Sequence, residues 1–350
     1  MISEETVRAA LGEVNYPGFS RDILSFGLVK IVEVEGNDVR VLISLATKDP
    51  SIPRQIHEGA ETALKALDGI GKISLDFDIK DPPEPVSGGS TAGVGQSSIP
   101  GVKTIIAVAS GKGGVGKSTV SVNLAVSLAK TGASVGLCDC DLYGPSIALM
   151  LGQEEAQPMA TEHNEIIPIE AHGIKAISMG FLLGDDSPVI VRGPLATRYT
   201  QQFLRQCLWG DLDYLVLDLP PGTGDIQLTI VQTVRVDTAV VVTTPQEVAL
   251  IDARKAIGMF QKVNVPISGI VENMAWFECD QGKRYPIFGE AGGKAEAERL
   301  GVPLLGQIPI DIETRRRGDE GLPVATLDAA DNAVSMAFGE LAASVRKSFP

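Results

Sequence analysis

An apolar strand, a glycine-rich loop ending in lysine and serine, and an apolar helix follow one another in IIAVASGKGGVGKSTVSVNLAVSLAKTG, Ile105 to Gly132. No other stretch constrains the fold as tightly. Gly111 to Ser118, GKGGVGKS, fits the spacing G-x-x-x-x-G-K-[ST] in the strand-to-helix context that this spacing requires. Glycines let consecutive backbone N–H groups turn inward around oxyanions, and the helix beginning near Lys117 adds its positive end. Gly111, Gly113, Gly114, Val115 and Gly116 are therefore expected to line a phosphate cradle. Lys117 is expected to bridge the β- and γ-phosphates of ATP, Ser118 to ligate Mg²⁺ and Thr119 to reach the α-phosphate. One lysine is enough to grip a nucleotide, yet this loop has a second at Lys112.

The chain beyond the loop alternates short apolar runs with amphipathic helices. Candidate strands are Thr104 to Ala109, Ser134 to Cys138, Tyr214 to Leu219, Thr238 to Thr243, Ile267 to Val271 and Leu304 to Ile308. Runs rich in valine, isoleucine and leucine between helices imply parallel strands buried on both faces. The fold class expected is α/β, a doubly wound, mostly parallel sheet with ligands at the carboxyl ends of its strands. Two of those ends carry aspartates. LCDCDLYGPS puts Asp139 and Asp141 on the loop leaving the second strand, where a water-positioning or metal-linked carboxylate would act. LVLDLPPGTGD ends a strand in Asp218, a Walker B carboxylate for the magnesium shell, and runs on through Gly222 and Asp225. Loops of that kind order around a γ-phosphate and release after hydrolysis.

Proline, glycine and serine dominate DPPEPVSGGSTAGVGQSSIP, Asp81 to Pro100, and no apolar period survives there. A linker over 81–100 divides the chain into a front domain, 1–80, and a back domain, 101–350. The front domain reads as a helix (Glu4 to Gly12), a turn at YPGF, and strands Leu28 to Glu35 and Val39 to Leu45 joined at EGND. A helix from Pro53 to Leu67 and a strand from Lys72 to Ile79 complete it. It carries no nucleotide motif.

Of the 350 residues, 44% are hydrophobic and 21% charged, which suits a globular chain with a sizeable core. A formal charge of -14 argues against nucleic-acid partners and against stable association with anionic membranes, both of which need a basic face. The acidic start MISEETVRAALGEV lacks the basic region of a secretory signal, so a cytoplasmic address is expected. Cys138, Cys140, Cys207 and Cys279 are too scattered for a disulfide framework. Cys138 and Cys140 read as small residues of the nucleotide loop, and Cys207 as helix core. His57, His163 and His172 show no ligand spacing.

The second lysine in KGGVGKS resembles the mark of the deviant Walker A ATPases, the group of MinD, ParA, ArsA and the nitrogenase iron protein. That resemblance implies a homodimer in which Lys112 reaches the partner subunit's nucleotide. An extra cation also suits the charge that builds on a transferred phosphoryl group. Within the group, DLYGPS, VRGP, DYLVLDLPPGTGD, VTTPQEVALIDARKAI and VENMAWF resemble the Mrp/ApbC branch of iron–sulfur cluster carriers. The front domain, strongest at RDILSFGLV, resembles the small SufT/PaaD-like domain of iron–sulfur assembly proteins. Members of that domain often carry a cysteine where Ile52 stands, so a docking or structural role is expected of it here. The carrier resemblance implies ATP hydrolysis, apo iron–sulfur client proteins, Asn273 as an adenine contact, and IPID, Ile308 to Asp311, flanking the base. It also implies a labile cluster held between subunits by a C-x-x-C after the NM element.

The chain departs from that pattern, with Cys279 at the first cysteine position and Gly282 at the second. Four thiolates from two subunits do not exist at this site. Two readings stay open. One is an ATP-dependent cluster carrier in which Cys279 and outside ligands complete a labile site. The other is a metal-free ATP-driven dimer switch that positions partner proteins. At the carboxyl end, Val334, Phe338, Leu341 and Val345 share a face with only Arg346 and Lys347 as basic neighbours, which predicts a packing helix rather than a membrane-surface one.

Overall fold

The computed structural model describes residues 2–17, 22–24, 27–47, 51–67, 69–80, 98–163, 165–181 and 193–349. Most of the expected linker, together with parts of YPGF, RDILSFGLV and VRGP, lies outside them. The described residues form two compact units, one ending at Lys80 and the other beginning at Ser98.

In the first unit, α1 (Glu4–Leu11) and α2 (Ser51–Lys65) cover one face of a sheet ordered β1 (Val29–Glu35), β2 (Asp38–Ala46), β3 (Ile73–Lys80). Ser3 starts α1 by accepting from the Thr6 N–H, as a serine N-cap does. On β2 the period of two sends Val39, Val41, Ile43 and Leu45 into the core and leaves Arg40, Leu42 and Ser44 on the other face. Helix α2 answers with Ile56, Ala60 and Leu64, one per turn. β1 and β2 are antiparallel, whereas β3 runs parallel to β2 after the α2 crossover.

The second unit holds β4 (Val102–Ser110), α3 (Lys117–Lys130), β5 (Val135–Asp139), α4 (Ile147–Met150), β6 (Ile169–Ala171), β7 (Ile174–Ile177) and α5 (Gly193–Gln206). It continues through β8 (Leu212–Asp218), α6 (Asp225–Thr233), β9 (Thr238–Thr243), α7 (Glu247–Lys262), β10 (Ile267–Glu278) and β11 (Arg284–Tyr285). The last elements are α8 (Gly292–Leu300), β12 (Leu304–Ile310), α9 (Ile312–Asp319) and α10 (Ala333–Arg346). The nine-stranded sheet runs β11-β10-β9-β4-β8-β5-β7-β6, with β12 also paired to β10. Among these described strands only β6 and β11 are antiparallel to their neighbours. Every residue of β5 and β9 is buried, the signature of strands covered on both faces.

Helix α3 is buried nearly all round because it lies between the sheet and α10. Val334, Phe338, Leu341 and Val345 of α10 are buried against α3 and β12, which is the packing role read from their spacing. No helix among the described residues is long and apolar enough to cross a membrane. Two expectations need correcting. Cys207 is buried but lies one residue past α5, in a bridge to Ile166 rather than in a helix. β10 runs seven residues beyond the expected Val271 end, because polar Glu272 and Asn273 are held inside the sheet by partners that the strand pattern does not reveal.

Candidate active site

β4 lies between β8 and β9, and its parallel neighbours lead away in opposite directions, so the loop leaving its carboxyl end sits at the switch point of the sheet. That loop is 111–118. A Cβ on Gly111 would run into the backbone of Asp252 on α7, so glycine there lets the helix close over the loop. Gly114 and Gly116 have φ of 80° and 83°, which ordinary side chains rarely adopt. No side chain caps the N-terminus of α3 at Gly116, which leaves its amides facing the loop.

The lysine and the two carboxyl-end aspartates meet beneath the loop. Lys117 Nζ is 2.7 Å from Asp218 Oδ2, with the two side chains 6% and 0% exposed. Ser118 Oγ donates to the same oxygen at 2.7 Å. Pairing of β5 with β8 sets Asp139 directly opposite Asp218. Asp139 accepts from Ser178 Oγ at 2.7 Å and from the Asp141 N–H at 3.0 Å. Burial, followed by the nearby Asp218 charge, pushes the Asp139 carboxyl up to about 7. Asp141 is half-buried, and burial raises its carboxyl as well, with Lys117 acting in the opposite direction. Past β8, the Gly222 N–H donates to the Ser110 carbonyl at 2.9 Å and ties the following loop to the phosphate loop.

A buried lysine on a carboxylate, beside a glycine-rich loop and the uncapped start of a helix, can bind a polyphosphate. The Ser118 hydroxyl and the Asp218 carboxylate supply the hard oxygen donors that a magnesium ion takes. Thr119 is half-buried, and its carbonyl accepts from Asn123 Nδ2 at 2.8 Å. Lys112 is half-buried and pairs with no carboxylate among the described residues. Asn273 is buried under the loop, where its Nδ2 donates to the Val115 carbonyl at 2.9 Å.

Cys279 stands apart from this cluster, half-buried just past the end of β10. The Gly282 N–H donates to the Cys279 carbonyl at 2.8 Å, and the Cys279 N–H to the Lys283 carbonyl at 3.0 Å. Together with φ of 74° at Gly282, these bonds make a three-residue hairpin loop whose last position requires a left-handed residue. The position where the C-x-x-C pattern has its second cysteine is thus a turn glycine. Arg284 closes the hairpin, stacking over Trp276 at 4.5 Å and pairing with Glu278 at 2.8 Å. Among the described residues no three His, Cys, Asp or Glu side chains gather as a metal site. Cys138 and Cys140 are buried with sulfurs 3.8 Å apart, and the Cys140 contact and burial raise the Cys138 thiol, as inert thiols require. Burial pushes the Cys207 thiol up to about 12.

Two residues of the site escaped sequence reasoning. Ser121 Oγ donates to Asp218 Oδ1 at 2.6 Å, so Asp218 is held from both sides of the first turn of α3. Its spacing of four from Lys117 is a helical signal that could have found it. Ser178 follows β7, a strand too short to be read, and had no such signal.

The sequence profile of a family described as NUBPL iron-transfer P-loop NTPase matches residues 101–346. That of an iron–sulfur cluster assembly protein family matches residues 4–75. A Deinococcus radiodurans protein named iron–sulfur cluster carrier protein is 46% identical over 90% of this chain and 87% of its own length. A Synechocystis protein of the same name is 43% identical over 93% of this chain and 92% of its own. Among solved structures, an Archaeoglobus fulgidus nucleotide-binding protein in complex with ADP superposes with a TM-score of 0.56 at 40% identity, over 63% of this chain and 87% of that one. The septum site-determining protein MinD with Mg-ADP from Pyrococcus horikoshii superposes with a TM-score of 0.55 at 25% identity, over 70% and 96%.

Proposed function

The chain belongs to the iron–sulfur cluster carrier family of P-loop NTPases, and from that premise we propose that it binds Mg·ATP at residues 111–118, hydrolyses it slowly, and works as a nucleotide-gated homodimer that carries an iron–sulfur cluster to apo client proteins. The observation that carries the nucleotide half of this reading is the convergence of Lys117 and Ser118 on Asp218. Arriving phosphates draw Lys117 off the carboxylate. Ser118 and Asp218 would hold a magnesium ion, which when bound would neutralise charge on the phosphate oxygens. Asp139, behind Asp218, supports the metal shell. Asp141 orients the attacking water. Hydrolysis is slow because the transition-state cation, Lys112, must come from the partner subunit. Gly111, Gly113, Gly114, Val115, Gly116 and Thr119 bind the phosphates, with Asn273 against the Val115 carbonyl of the same loop.

Apolar side chains exposed on the loops and helix starts that follow the strands, Tyr143, Val248, Ile251 and Ile312, support pairing through the nucleotide end of the sheet. In such a dimer the two Cys279 hairpins provide two thiolates, and added thiol or oxygen ligands complete a weakly held cluster. The second reading, a metal-free switch, is favoured by one observation: Gly282 occupies a turn position where a cysteine would be strained.

Calorimetry with Mg·ATP, followed by single-turnover hydrolysis, tests the nucleotide half. Binding in the parent and none in Lys117→Ala is expected. Equal affinity in the two proteins would remove the loop as the site.

A further inference from the structure

The structure assigns Asn273 a role that deepens the nucleotide reading above and rests on it: we infer that Asn273 is a positioning residue for the phosphate cradle, acting through the peptide between Val115 and Gly116. The Asn273 Nδ2 group donates to the Val115 carbonyl at 2.9 Å. A carbonyl can only accept, so the nitrogen of the side-chain amide must face it, and the partners fix the orientation of that amide. The chain has no cis peptide bonds among its described residues, and in a trans peptide the carbonyl and the next N–H point in opposite directions. Holding the Val115 carbonyl on the outer side of the loop therefore turns the Gly116 N–H to the inner side, where phosphate oxygens bind.

The neighbours of that peptide fit the assignment. Gly116 has φ of 83°, and a Cβ there would collide with Asn273 Nδ2, so the glycine both adopts the turn and admits the asparagine. On the far side, the Gly116 carbonyl accepts from the Val120 N–H at 3.0 Å and is fixed in α3. Gly116 is thus flanked by two fixed peptides, the one before it held by the asparagine and the one after it by the helix. Asn273 is itself held firmly. The preceding Glu272 is fully buried, accepts from Gln307 Nε2 at 2.6 Å and caps the start of α8 through the Gly293 N–H. The following Met274 has φ of 56°, an outlier for a residue with a flexible side chain, where β10 shifts register against β12. Its Cε lies 3.8 Å from the Cβ position of Gly116. Preorganised amides bind an anion without reorganising at that moment, and this is the contribution assigned to Asn273.

A contact from Asn273 to adenine would act on the base, whereas a held Gly116 N–H acts on phosphate. Inorganic tripolyphosphate, which has no base, separates them. Affinities for Mg·ATP and for magnesium tripolyphosphate are measured by calorimetry in the parent, in Asn273→Ala and in Asn273→Leu, which keeps the branched shape without the donor. Both variants are expected to lose about tenfold for both ligands, the value of one hydrogen bond. A packing role predicts that Leu is milder than Ala, and that outcome would overturn the assignment. So would weakened ATP with unchanged tripolyphosphate. If the parent binds ATP and tripolyphosphate and neither variant differs from it, the positioning role alone falls. If the parent binds neither ligand, the nucleotide reading falls with it.

Discussion

Lys117 Nζ and Asp218 Oδ2 form a buried ion pair at 2.7 Å, so the cation proposed to grip phosphate already rests on the carboxylate proposed to hold magnesium. The pair couples stability to ligand. Among the described residues, Lys117→Ala leaves Asp218 with only the Ser118 and Ser121 hydroxyls as side-chain donors. A cost of about 2 kcal/mol in the nucleotide-free protein is expected, below that of a fully orphaned buried charge because both serines remain. Chemical denaturation measures it, and an unchanged midpoint would show that the pair contributes nothing.

Lys112 differs from Lys117 in having no carboxylate partner among the described residues. Lys112→Ala is therefore expected to keep nucleotide affinity within about twofold, since no hydrogen bond to a phosphate in its own subunit is lost. ATP-linked dimerisation by light scattering and turnover should both fall. Parental turnover with parental dimerisation would place Lys112 outside the reaction.

Asp139 gives the nucleotide-free protein a pH dependence. Burial and then Asp218 raise its carboxyl from the ordinary 3.8 to about 7, so between those values the folded state binds more protons than the unfolded one. Stability from this group accordingly falls as pH rises through that window, and the loss is complete above about 7. In Asp139→Asn that component is absent. Melting profiles at pH 5, 6, 7 and 8 should converge or cross for parent and variant, and strictly parallel profiles would contradict the assignment.

Gly282 has φ of 74°, and a Cβ at that position would meet nothing within 4 Å, so any cost of a side chain there is conformational alone. Gly282→Ala is expected to lose about 1 kcal/mol, and Gly282→Asn less. Equal stability of all three proteins by denaturant titration would mean that the turn tolerates side chains, and a cysteine there with them.

Much of the site was legible because its chemistry lies in local spacing. Gly111 to Ser118 announces the cradle, and an apolar strand ending in Asp218 announces the carboxylate beside it. What was not legible depends on elements brought together from far along the chain. Ser178 reaches Asp139 only because β7 pairs with β5, and β7 has four residues, too few for a periodic signal. Asn273 reaches Val115 across 158 residues. β6 and β11 went unread for the same reason as β7, being edge strands of three and two residues. At Gly282 the sequence shows which residue is missing from the C-x-x-C pattern, whereas the backbone shows why glycine is there.

Carriage of a cluster by an ATP-switched chain, with Cys279 as its own ligand, is tested most directly by iron and sulfide bound per subunit. Both are measured after anaerobic reconstitution with added thiol, in the parent and in Cys279→Ser. Substoichiometric iron and sulfide in the parent, lost in Cys279→Ser, is the predicted result. Equal loading in both proteins would remove Cys279 as a ligand, and no iron in the parent would contradict the carrier reading in favour of a metal-free ATP switch.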